Sequence, residues 1–216
     1  MSDTLIVTCD CGSFSAEAVL HKKETNTHIV CYCDDCQSYS RHLGNAEKVL
    51  LANGGTEIIQ LSPAHLKLTR GKEHLGALRL SPNGLLRFYA TCCKTPICNA
   101  PANPGMPYLG LLTRNLKKLK KSSKGNSRSS VTHSIDELIG PVSFGVGAGD
   151  QHPIVADWPV AKGFGFRGLF STLRNIARWR VRGDHKRSEL LDCETGEPFV
   201  TTYVLSAQER TVANQT

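Results

Sequence analysis

Aromatic residues make up only 6% of this 216-residue chain, too few to favour the stacked-base platforms that hold single-stranded nucleic acid. No run of about 18 apolar residues occurs, which excludes a membrane-spanning helix. Met1 to Asp10 has neither the basic start nor the apolar stretch of a secretory leader, so the expected compartment is the cytoplasm. There is no internal repeat. Acids are missing from Thr113 to Ser130, where Arg114, Lys117, Lys118, Lys120, Lys121, Lys124 and Arg128 match the whole net charge of +7.

Cysteine, by contrast, is plentiful. Nine cysteines in a chain that is 40% hydrophobic are not needed to staple a small core, and an odd count at close spacings does not suggest a secreted disulfide framework. Metal binding accounts for them better. The densest group is Cys31-Tyr32-Cys33-Asp34-Asp35-Cys36, whose C-x-C-x-x-C spacing can bring three sulfurs around one soft divalent ion without help from a distant segment. Three protein ligands, rather than four, is the count of a zinc site with an open position. Cys9 and Cys11 form a second group, to which Cys92 or Cys93 can add a third and perhaps a fourth sulfur. Adjacent cysteines seldom both reach one ion, so Cys98 or water can complete that set instead. The alternative for Cys92 and Cys93 is buried thiol packing, or a strained vicinal disulfide used in redox sensing.

The surrounding pattern is mostly extended. Leu5 to Val7 precedes the first cysteines, and Phe14, Ala16, Ala18 and Leu20 then alternate with Ser13, Ser15, Glu17 and Val19, the period of a half-buried strand. His28 to Val30 reads as a short strand leading into the central cysteines. Asp34 to Leu43 predicts helical turns stopped by Gly44, with Cys36 at the helix start, where the dipole favours a thiolate. Short apolar pieces from Ile58 to Tyr89 read as a meander, with Ser81-Pro82-Asn83-Gly84 turning one antiparallel pair and the second strand delivering Cys92 and Cys93. Leu116 and Leu119 predict a basic helical turn, Ser122 to Ser130 a linker, and Ser134 to Glu137 a capping box before a short helix. Arg167 to Arg182 is the best helix, with Leu169, Phe170, Leu173, Ile176 and Ala177 opposed by Arg174, Arg178 and Arg182. Its apolar face is expected to pack on the zinc domain, although such a helix can also lie on an anionic membrane. Ser206 to Glu209 is a second capping box, too close to the end to build much.

The order C-x-C-G, then C-x-C-x-x-C, then a strand ending in cysteine before Thr-Pro resembles the glutathione-dependent formaldehyde-activating enzyme family, the CENP-V/GFA domain. The resemblance covers about the first 100 residues. It implies a structural zinc on Cys9, Cys11 and the later cysteines, and a catalytic zinc on Cys31, Cys33 and Cys36 whose open position takes a substrate thiol. This chain departs from the family's C-x-x-C-G-T-P: Ala90 stands for its first cysteine, Lys94 for its glycine, and Cys92 is new. The structural site must therefore be rebuilt around Cys92 and Cys93. The remainder resembles an uncharacterised branch.

The expected fold is mainly β (α+β): a zinc-stapled, β-tent-like domain of short antiparallel sheets over 1–105, a basic linker over 106–133, and a helical C-terminal extension over 134–216 that packs back. The expected function is that of a zinc-dependent carbon–sulfur lyase acting on a thiol adduct, with one or two zincs and glutathione as the implied co-substrate. Asp34, Asp35, Arg41 and His42 are the nearest proton-transfer groups in sequence. The alternative is a non-catalytic zinc module whose basic loop contacts nucleic acid or an acidic partner.

Overall fold

The structure, a computed structural model, describes residues 2–21, 24, 28–119, 130–131, 139–149, 154–163 and 165–215. Its strands in chain order are β1 (Ser2–Thr8), β2 (Ser15–His21), β3 (His28–Cys31), β4 (Thr56–Leu61), β5 (Leu66–Arg70), β6 (Leu75–Arg79), β7 (Leu86–Ala90), β8 (Thr95–Ala100), β9 (Leu109–Leu112), β10 (Leu116–Leu119), β11 (Ser130–Val131), β12 (Phe144–Val146) and β13 (Thr202–Val204). The helices are α1 (Asp34–His42), α2 (Ala46–Val49), α3 (Phe166–Val181) and α4 (Ala207–Gln215). Among the described residues the strands form a five-stranded sheet, β11-β10-β1-β2-β5, and an eight-stranded one, β12-β3-β4-β9-β8-β7-β6-β13. The fold is mainly β, as the period-two patterning predicts.

The core lies where the two sheets face each other. Alternation along β1 and β2 buries Leu5, Val7, Ala16 and Ala18, with Phe14 just ahead of β2, against Leu61, Leu86, Phe88 and Leu109 of the larger sheet. Each fully buried aliphatic or aromatic side chain there contributes about 1.5–3 kcal/mol. The Ser81–Gly84 turn joins β6 and β7 as predicted, with Gly84 N donating to Ser81 O at 2.9 Å.

Four local expectations change. The apolar pieces are not one meander, because β5 leaves β4 to pair with β2 in the small sheet. Leu116–Leu119 is a strand paired between β1 and β11, not a helical turn. Within the span read as linker, Leu109–Leu112 is a fully buried strand between β4 and β8. Ser206 to Glu209 does close a capping box, Ser206 N donating to Glu209 Oε2 at 2.9 Å and Glu209 N to Ser206 Oγ at 3.3 Å, and it starts a nine-residue helix that packs on α1. The capping box at Ser134 to Glu137 and most of the basic run lie outside the described residues.

Helix α3 turns the face opposite to the one its pattern suggests toward the protein. Gly168, Ser171, Thr172, Asn175 and Trp179 are buried, while Leu169, Phe170 and Leu173 are exposed. Gly168 explains the approach, since a Cβ there would sit 2.7 Å from the Phe144 ring. Polar bonds then fix the helix: Thr172 Oγ1 donates to Gln60 Oε1 at 2.9 Å, and Trp179 Nε1 to Glu24 Oε1 at 2.8 Å. No described helix is long and apolar enough to cross a membrane.

Candidate metal centres and the cavity above one of them

The central cysteines are positioned by three elements. Cys31 ends β3, paired on one side with Thr56 of β4 and on the other with Val146 of β12. Cys33 caps α1 in an extended conformation, and Cys36 follows in the first turn, its amide donating to Cys33 O at 3.0 Å. The loop after β12 presses on the turn: a Cβ on Gly147 would lie 3.0 Å from the Cys33 backbone nitrogen, and its φ of +75° suits glycine. The result is Cys31 Sγ at 3.3 Å from Cys33 Sγ and 3.4 Å from Cys36 Sγ.

The second cluster forms between distant strands. Cys9 and Cys11 lie in the turn after β1, and Cys92 and Cys93 in the turn after β7. Cys9 Sγ is 3.5 Å from Cys11 and 3.8 Å from Cys92, and Cys11 is 3.3 Å from Cys92. All four sulfurs lie within 4.8 Å of one another. Both adjacent cysteines therefore reach the cluster, contrary to the sequence expectation. Lys94 makes this possible: its φ of +57° is the one positive value among described non-glycine residues, and Asn45 Nδ2 holds its carbonyl at 2.9 Å. Cys98 takes no part, being wholly buried in the core.

Both groups are arranged as a metal would require. Thiolates on a tetrahedral zinc at about 2.3 Å are spaced about 3.8 Å apart, close to the separations found here, and the soft, all-sulfur donor sets suit such an ion. Four sulfurs would close the Cys9, Cys11, Cys92 and Cys93 site; among the described residues three leave the Cys31, Cys33 and Cys36 site short. Around Cys36 the other two thiols, and then Arg87, hold its pKa well below the ordinary thiol range in spite of burial. Cys31 is pushed up by Cys33 and Cys36 and by burial. In the four-cysteine cluster, Ser13 is the largest influence holding Cys11 down at about 6.

The three-cysteine site is the floor of a cavity of about 380 Å³. Arg87, Asp35, Asn99, Tyr108 and Thr172 contribute its polar groups. Arg87 is 1% exposed; its guanidinium lies 3.8 Å from Cys36 Sγ, 3.4 Å from Asn99 Oδ1 and 3.7 Å from Asp35 Oδ2, over the Tyr39 ring. Its Nε is buried without a hydrogen-bond partner among the described residues. An arginine so buried needs a strong anion nearby, and Asp35 is itself 43% exposed and shared with Arg210. Three thiolates around a divalent ion carry one net negative charge, which matches Arg87. Burial, and then the charges of Cys31 and Cys36, raise the Tyr108 phenol, so it stays protonated.

Of the four proton-transfer candidates named from sequence, Asp35 alone reaches the cavity. Arg41 instead donates to Gln37 Oε1 at 3.1 Å, and Asp34 contributes its carbonyl to Ser38. Sequence reasoning missed Arg87, although a lone charge inside the apolar run Leu85 to Tyr89 was a visible signal. It also missed Tyr108 and Asn99, for which no local signal exists.

The chain belongs to the DUF6151 family, a family of unknown function, whose model matches residues 1–169. No curated protein matches it. A crystal structure of a Rhodobacter sphaeroides protein, a structural-genomics target, is 18% identical, covering 56% of this chain and 92% of its own, with a TM-score of 0.36.

Proposed function

We propose that this chain is a zinc-dependent enzyme of the carbon–sulfur lyase kind, acting on a thiol adduct at Cys31, Cys33 and Cys36. The observation that carries the reading is that three sulfurs, with no fourth protein ligand among the described residues, converge on the floor of a cavity. Its motif order supports it through the resemblance to the glutathione-dependent formaldehyde-activating enzymes.

Those three cysteines would hold the ion, with Cys9, Cys11, Cys92 and Cys93 holding a second one that ties the turn after β1 to the turn after β7. When bound, zinc supplies a positive charge that favours the thiolate form of an added thiol and stabilises charge on a neighbouring oxygen. The protein groups do the rest. Arg87 offsets the negative charge of the sulfur cluster. Breaking the carbon–sulfur bond of a thiohemiacetal leaves the electron pair on sulfur, forms a carbonyl and releases the hydroxyl proton. Asp35 and Tyr108 line the cavity; in this reading Asp35 takes that proton and Tyr108 donates a hydrogen bond to the oxygen.

The test is cobalt substitution. Adding thiol to the cobalt protein should strengthen the sulfur-to-cobalt absorption in wild type and leave it unchanged in Cys36→Ser; no response to any thiol would remove the reading. The nucleic-acid alternative draws on a basic run that falls largely outside the described residues.

A further inference from the structure

The cavity above the three cysteines has a pronounced chemical gradient. Beside the sulfurs its walls are Ile29, Ile58 and Val146, all nearly inaccessible. At its mouth they are Leu85, Met106, Leu169 and Leu173, each between 40% and 53% exposed. Large aliphatic side chains left open around a cavity mark a surface awaiting an apolar ligand. The outward-facing stripe of α3 supplies half of that mouth, which gives a purpose to a helix that buries its polar face.

Most of the polar groups are already engaged. Arg87 faces Cys36, Asn99 and Asp35, Asp35 also pairs with Arg210, and Thr172 donates to Gln60. A charged ligand body would lose its hydration against leucine and methionine with no buried counter-charge to receive it. Glutathione, with two carboxylates and an ammonium, fits this lining poorly.

Resting on the reading of an open three-cysteine zinc site, we infer that its ligand is a thiol, or the adduct of a thiol, whose body is uncharged and apolar. Its sulfur points to Cys31, Cys33 and Cys36, and its hydrocarbon lies against Leu85, Met106, Leu169 and Leu173. The thiol binds as thiolate and its S–H proton passes to solvent, so no oxidant or reductant is involved.

The experiment titrates the cobalt-substituted full chain with n-butanethiol, n-hexanethiol and glutathione, reading the sulfur-to-cobalt absorption. Hexanethiol should bind at least about tenfold more tightly than glutathione, and affinity should rise roughly fourfold per added methylene from the four-carbon to the six-carbon chain. Leu173→Glu, at an exposed position that leaves the fold intact, should weaken hexanethiol by about tenfold or more without changing metal content or circular dichroism. Glutathione binding as well as hexanethiol, affinity independent of chain length, or an unaffected Leu173→Glu each overturns the apolar ligand while leaving the open site standing. Silence toward all three thiols instead overturns the open site, and this inference with it.

Discussion

The guanidinium of Arg87 and the sulfur of Cys36 lie 3.8 Å apart, in side chains that are both buried. Nothing local in the sequence joins them; β7 brings the arginine beneath the first turn of α1, where the Tyr39 hydroxyl also donates to Phe88 O at 2.7 Å. Such a cation supports a thiolate site from behind. Arg87→Met is expected to weaken metal binding at the three-cysteine site by about 10–100-fold, and Arg87→Lys by less. Competition with a chromogenic chelator measures this, and unchanged affinity in Arg87→Met would remove the charge-balancing role.

The four-cysteine cluster separates ligands from bystanders. Cys92→Ser and Cys93→Ser should each lose or greatly weaken one ion and cost about 4 kcal/mol or more of stability, since loss of a structural metal belongs among the largest single-residue effects. Cys98→Ala should keep the full metal content and cost only about 1 kcal/mol for the buried atoms removed. Metal analysis with denaturant unfolding distinguishes the three.

Two backbone positions are tied to the sites. Lys94 holds a left-handed conformation that costs a side-chain-bearing residue about 1–2 kcal/mol. Lys94→Gly should therefore be neutral or stabilising by up to about 1 kcal/mol, and Lys94→Val destabilising, with the four-cysteine site losing affinity in the second case. Gly147→Ala adds a Cβ that meets Cys33 and strains a positive φ; it should lower metal content at the three-cysteine site and leave the other site filled.

Acid should loosen α3 in two stages. At its C-terminal end Arg182 donates to Glu24 at 3.1 Å and to Asp184 at 2.8 Å, with Arg187 also on Asp184 and His65 beside them. Burial, the largest influence, lowers the His65 pKa. The folded state thus prefers neutral imidazole, and its contribution is full above the unfolded value of about 6.5 and declines as pH falls below it. For Asp184, burial is the largest influence and acts upward, but Arg182, Ser62 and Arg187 outweigh it and hold the carboxyl below its usual range. That contribution is present above about pH 3.9 and is lost as pH falls through the lower folded value. Asp184→Asn should cost about 2–3 kcal/mol at pH 7 and converge on wild type in strong acid; a pH-independent difference would contradict this role for the Asp184 carboxylate.

How much of this was legible in the sequence depended on whether the signal was local. The cysteine triplet, the helix start at Asp34, the Ser81–Gly84 turn and the strand containing Ala16 and Ala18 each declare themselves within a few residues. Their partners do not. That Cys92 and Cys93 both join Cys9 and Cys11 depends on a lysine adopting a glycine-like φ. That Arg87 supports Cys36 depends on how β7 passes under α1. Helix α3 is the instructive reversal: amphipathic periodicity finds the helix but assumes that apolar residues face the core. Here Gly168 and the bonds of Thr172 and Trp179 bury the polar side, and Leu169 and Leu173 are left to line a cavity.

The two cysteine groups are proposed as separate metal sites. Zinc per chain, measured on protein purified without added metal, tests this most directly in wild type and Cys36→Ser. Close to two ions per chain should fall to close to one. A single ion that survives the substitution would mean that Cys31, Cys33 and Cys36 hold no metal, and the enzymatic reading would go with it.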